Sequence, residues 1–126
     1  MQRFIYGRPE QLTVLDGRRG GGRRRVYGYM RACDGRSDEE IRQDEQQLAR
    51  WAEAAGYVLK AVYQETDEGS IVELTALVEE LNATGTRAVV VPSVEHFGTS
   101  ALLQEHLWAY VAHTANAEVH EAANRP

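Results

Sequence analysis

The chain has 126 residues, of which 43% are hydrophobic and 26% charged, and a formal net charge of −5. That length fits one domain with a core large enough to need no cross-links, and a single cysteine excludes an internal disulfide. No apolar run approaches the ~18–20 residues of a membrane span, and the N-terminus lacks the apolar stretch of a signal peptide, so a cytoplasmic protein without membrane partners is expected.

Charge divides the chain in two. Residues 1–31 contain eight arginines against Glu10 and Asp16, whereas residues 32–126 hold six basic and seventeen acidic side chains. Residues 17–25, GRRGGGRRR, combine four glycines with five arginines and no apolar side chain, the composition of a solvated linker. The strand character of RFIYG and QLTVLDG is too slight for a domain, and residues 1–25 read as an appendage to a domain over 26–126. Within it Arg18, Arg19, Arg23, Arg24 and Arg25 are the candidate nucleic-acid contacts, since clustered arginines neutralise phosphates. The acidic remainder repels phosphate, and the arm has an equal alternative in folding back on that acidic surface.

From residue 25 the pattern is regular. RVYGYMRA reads as a strand, and SDEEIRQDEQQLARWAEAAG as a helix opened by a Ser37–Glu40 capping box and stopped at Gly56. Its apolar residues Ile41, Leu48, Trp51, Ala52 and Ala55 share one face. YVLKAVYQ is the next strand. A second capping box, Ser70 to Glu73, starts a helix striped by Leu74, Leu77, Val78 and Leu81 and ending near Gly85. RAVVVPS is apolar without alternation, as in a strand buried on both faces. TSALLQEHLWAYVAHTAN is a third helix and AEVHEA a final strand.

This alternation predicts an α/β fold, a mostly parallel sheet flanked by helices on both faces. Ligands of such sheets sit beyond the carboxyl ends of the strands, where strand order reverses, which directs attention to loops 32–37, 65–70 and 93–99. The first carries Arg31, Cys33, Asp34 and Arg36. A phosphatase loop of the C-x5-R type is disfavoured, because Glu39 stands where the arginine belongs; a lone cysteine also suits a small half-buried turn position. The four histidines do not converge, and His106 and His113, seven apart on one helix, form a polar face. No metal or cofactor is expected.

YGYMRAC, QQLARWAEAAGYVLKAVYQ, ELTALVEEL and RAVVVPSVEHFGTS follow one another in an order that resembles the catalytic domain of the serine recombinases (resolvases and invertases), over residues 26–121. The resemblance implies a resolvase-like three-layer α/β/α fold. It places Tyr29 and Arg31 at the first positions of a Tyr-x-Arg-x-Ser motif, Cys33 at that of the serine that attacks a DNA phosphate, and Glu95 at the acid of an Asp-Arg-Leu-Gly-Arg-like motif. His96 and Thr99 replace that motif's two arginines, and Ile71 and Val72 stand where a further arginine is usual. Recombinases of this kind continue into a long dimerisation helix and a DNA-reading domain; neither is expected after HEAANRP.

A single arginine can contribute ~10³–10⁵ in rate to phosphoryl transfer, so these replacements imply a degenerate, non-catalytic domain. Tyr29, Arg31, Cys33 and Glu95 are then vestigial catalytic positions, and the protein a binding or regulatory module for DNA, a related recombinase or a second copy of itself. Two alternatives stand beside it: a recombinase or nuclease using Cys33 with basic residues from a partner, and a small-ligand sensor at the switch-point cleft.

Overall fold

The computed structural model describes residues 2–5, 24–33 and 35–123. Among the described residues five strands form one sheet: β1 (Gln2–Ile5), β2 (Arg24–Arg31), β3 (Tyr57–Glu65), β4 (Ala88–Val91) and β5 (Glu118–Glu121). Their spatial order is β1-β3-β2-β4-β5, with β2, β3, β4 and β5 parallel and β1 antiparallel to β3. Three helices connect the parallel strands: α1 (Asp38–Ala55), α2 (Val72–Thr84) and α3 (Ala101–Thr114), with a 3-10 turn over Val94–Phe97 before α3. The α/β architecture expected from the sequence is the one observed. Of the appendage expected over residues 1–25, Gln2–Ile5 forms an edge strand, Arg24 and Arg25 open β2, and the Gly/Arg-rich stretch to residue 23 lies outside the described residues.

The layers follow from which side chains each strand turns outward. On one face Val26, Met30, Leu59, Val62 and Val90 pack against Leu48 and Ala52 of α1. On the other, Tyr27, Tyr29, Tyr63 and Val89 meet Leu74, Leu77 and Leu81 of α2 and Leu107 and Val111 of α3. Gly28 lets α1 approach. A Cβ there would lie 3.0 Å from Leu48 Cδ1 and 3.1 Å from Val62 Cγ2, tighter than close-packed side chains accept.

The first capping box forms as the spacing predicts. Ser37 Oγ accepts from the Glu40 N–H, the Glu40 carboxylate accepts from the Ser37 N–H, and Gly56 ends α1 at φ 84°. The second does not form. Ser70 Oγ accepts from the Val72 N–H, the N-cap position is Ile71, and Glu73 is buried. The N-terminus of α2 is instead held from the sheet: Glu65 Oε2 accepts the Leu74 N–H at 3.0 Å and the Tyr29 hydroxyl at 3.2 Å. A carboxylate from the end of β3 reaches a helix terminus rich in unpaired donors and satisfies one of them, where negative charge is also favoured by the helix dipole.

Glu65 faces α2 because β3 contains a bulge. Val26 pairs with Leu59 but Tyr27 pairs with Ala61, which leaves Lys60 as the extra residue. Side-chain parity reverses there: Tyr57 and Leu59 lie on the α1 face, Ala61 and Tyr63 on the α2–α3 face.

Replacing Glu65 by alanine leaves the buried Tyr29 hydroxyl and the Leu74 N–H without this acceptor and should cost about 2–3 kcal/mol. Glu65→Gln, which keeps an acceptor, should cost visibly less. Urea unfolding with an unchanged slope and a lowered midpoint would show it; equal midpoints for Glu65→Ala and the parent chain would refute it.

Candidate functional site

Strand order reverses at β2: the chain leaves it for β3 on one side, then crosses to β4 on the other. The loops after β2 and β4 therefore diverge, and a cleft of about 360 Å³ opens between them. All three loops singled out from the sequence contribute to its wall: Cys33 and Arg36 from the first, Glu68 and Gly69 from the second, Glu95 and His96 from the third.

Arg31 ends β2 at this cleft and ties the loops together. Its Nε donates to the His96 carbonyl at 3.1 Å, its Nη2 donates to the Ser70 carbonyl at 3.2 Å, and its backbone N–H donates to His96 Nδ1 at 2.9 Å. One residue thus joins β2, the loop before α2 and the turn after β4. Tyr29, two residues earlier on the same strand, points inward rather than into the cleft. Its ring is fully buried, lies 5.7 Å from that of Phe97, and its hydroxyl donates to Glu65. Burial first, and the Glu65 charge second, push the Tyr29 phenol well above its ordinary range, so the group stays protonated. Of the four motif positions the structure brings Arg31, Cys33 and Glu95 to one cleft and sets Tyr29 beneath it as packing.

His96 is buried between two loops. Its Nδ1 accepts the Arg31 backbone N–H, which leaves Nε2 as the protonated nitrogen, directed at Asp44 Oδ2 3.5 Å away. Desolvation, reinforced by the nearby Arg36 and Arg31 charges, lowers its pKa from 6.5 to about 4. The His96 imidazole is therefore neutral at physiological pH. Asp44, on α1, also pairs with Arg36, so the loop after β2 is fastened to α1 through Arg36, Asp44 and His96.

Gly98, Thr99 and Leu103 complete the wall. Arg36 is in a loop the strand order already marked, but no spacing rule couples it to Arg31. Leu103 comes from the first turn of α3 and sits against Gly98; a Cβ at Gly98 would meet its Cδ2 at 2.6 Å. Among the candidate nucleic-acid arginines, Arg18, Arg19 and Arg23 lie outside the described residues. Arg24 packs 5.4 Å from the centroid of the Tyr57 ring, a cation–π contact at the other end of the strands, and Arg25 follows it on β2. No helix among the described residues is long and apolar enough to cross a membrane.

The fold is similar to that of the N-terminal catalytic domain of TP901-1 integrase, with a TM-score of 0.63 over 79% of this chain and 77% of that one, at 16% sequence identity. That likeness is one of fold. No protein-family model matches the chain, and no curated protein matches it.

His96 carries a pH signature. Folded, it binds its proton only near pH 4; unfolded, near its ordinary 6.5. Between these values the unfolded state binds more protons, so stability falls as pH drops through this window, by about 3 kcal/mol in total. His96→Asn, whose amide oxygen can accept the Arg31 N–H, should lack this component and show a flatter pH–stability curve from 6.5 to 4. Parallel curves for the two proteins would contradict a neutral buried imidazole.

Proposed function

We propose that this protein is a resolvase-like domain that does not carry out strand exchange and serves as a binding or regulatory module associated with DNA or with a related protein. One observation carries the reading. Arg31, the arginine retained from the family pattern, directs its guanidinium at two backbone carbonyls, and the neighbouring replaced position holds a neutral imidazole. Stabilising a phosphoryl-transfer transition state needs preorganised positive charge aimed at the phosphate oxygens. Here Arg31 acts as a loop clasp and Arg36 is paired with Asp44. Glu95 on the same wall opposes an incoming phosphate.

A second reading rests on Cys33, which shares the cleft with Arg31 and Arg36. A thiolate there, with basic groups from a partner, would attack a DNA phosphate as the family serine does. The two readings separate cleanly. The purified protein should neither nick nor recombine supercoiled plasmid, and Cys33→Ser should not confer activity, because positive charge limits the chemistry more than the nucleophile. A covalent protein–DNA adduct that disappears in Cys33→Ala would establish the second reading in place of the first.

DNA association through the arm predicts a steep salt dependence. Deleting residues 1–25 is a poor test, since Gln2–Ile5 pairs with β3 and Arg24 begins β2. Replacing Arg18, Arg19 and Arg23 together by serine leaves those strands intact. The variant should bind duplex DNA more weakly, with a log–log salt slope lower by about 0.9 for each phosphate no longer neutralised. Unchanged affinity and slope would place DNA binding elsewhere or remove it.

A further inference from the structure

The cleft has features that neither a DNA phosphate nor an empty scaffold explains. Its wall carries both signs of charge, Arg31 and Arg36 against Glu68 and Glu95, beside an apolar surface of Leu103, Gly98 and Cys33. Leu103 remains 42% exposed although it is a large apolar side chain, and the surface it offers lines this cavity. Its seat on Gly98 is fixed by the absence of a Cβ there.

Size and charge narrow the ligand. About 360 Å³ lies at the small end of the ~300–1,000 Å³ typical of small-molecule sites, too small for a folded partner element. An anion alone would meet the arginines but be repelled by Glu68 and Glu95, and a cation alone would meet the reverse. A molecule with a carboxylate and an ammonium separated by one carbon satisfies both. Arginine is the side chain best matched to a planar carboxylate, and of the guanidinium's five N–H donors Arg31 directs Nε and one Nη2 hydrogen at carbonyls. Glu95 is exposed and in reach only of the Ser93 hydroxyl at a long 3.5 Å among the described residues, so engaging an ammonium costs it little.

We infer that this cleft binds a free α-amino acid with an apolar side chain, its carboxylate toward the remaining N–H donors of Arg31, its ammonium toward Glu95 and its side chain against Leu103. The inference rests on the reading that the cleft is not catalytic, and names the ligand class of a regulatory module. Because Arg31 joins the end of β2 to two of these loops, an occupant of this cleft also touches the contacts that set their relative positions.

Calorimetric titration of the full chain tests it with four probes: L-leucine, leucinamide, N-acetyl-leucine and inorganic phosphate. Leucine should saturate a single site. Leucinamide, lacking the carboxylate, and N-acetyl-leucine, lacking the ammonium, should each bind at least about tenfold more weakly, the size of one charge-assisted hydrogen bond. Glu95→Gln, an exposed substitution compatible with folding, should abolish the preference for leucine over N-acetyl-leucine while keeping that over leucinamide. Leucine binding whose preference survives Glu95→Gln would overturn the assignment of the ammonium site. Saturation by phosphate without leucine binding, or no binding of any probe, would overturn the inference. Plasmid nicking by the same preparation bears on the other question: nicking refutes the non-catalytic reading, whereas its absence together with no leucine binding refutes only the ligand.

Discussion

The fold turns on the buried carboxylate of Glu65. It ends β3, accepts the Tyr29 hydroxyl from β2 and the Leu74 N–H from α2, and so connects two strands and a helix at one oxygen. A carboxylate inside a protein is costly unless its lone pairs are filled. Here the donors are a phenol kept protonated by burial and a backbone N–H at a helix N-terminus, where partial positive charge accumulates. The arrangement explains why α2 dispenses with a side-chain cap of its own. It also accounts for the burial of Tyr29, whose hydroxyl finds its acceptor inside the fold.

Arg31 extends the same logic to the surface. Through the Ser70 and His96 carbonyls it fixes the loop after β3 and the turn after β4 to the end of β2. His96 returns the contact by accepting the Arg31 N–H and facing Asp44 on α1. Loops held to one another in this manner give a cleft of defined shape, the condition for selective binding of a small molecule.

Local signals marked much of this in advance. Ser37 and Glu40 satisfy one another's backbone within a single turn, and Gly56 and Gly85 stop helices by adopting left-handed φ, so both features are written in neighbouring residues. The apolar run at β4 is buried on both faces, as an unalternating strand must be. The three loops of the cleft were legible too, since winding order alone puts them at one edge of the sheet. Ser70 and Glu73 carried the same local signal as Ser37 and Glu40, yet Glu73 turns inward and Ser70 caps only the Val72 N–H. Spacing says which pair can form; it is silent on a competing acceptor nine residues upstream in sequence and adjacent in space.

What the sequence determined by itself, then, is whatever depends on periods of two and 3.6 and on single-turn chemistry: element types, most of their ends, the winding of the sheet and the edge where a site lies. What only the tertiary structure decided depends on parity and on long-range partners. The Lys60 bulge reverses which face β3 presents, and without it Glu65 would turn toward α1 rather than toward α2. Arg36 and Leu103 line the cleft from separate segments, the Ser70 carbonyl reaches Arg31 from a third, and the neutrality of His96 follows from burial beside two guanidinium groups. No local rule contains these arrangements, because each is set by how strands and helices meet across dozens of residues, where one inserted residue moves a side chain to the opposite face.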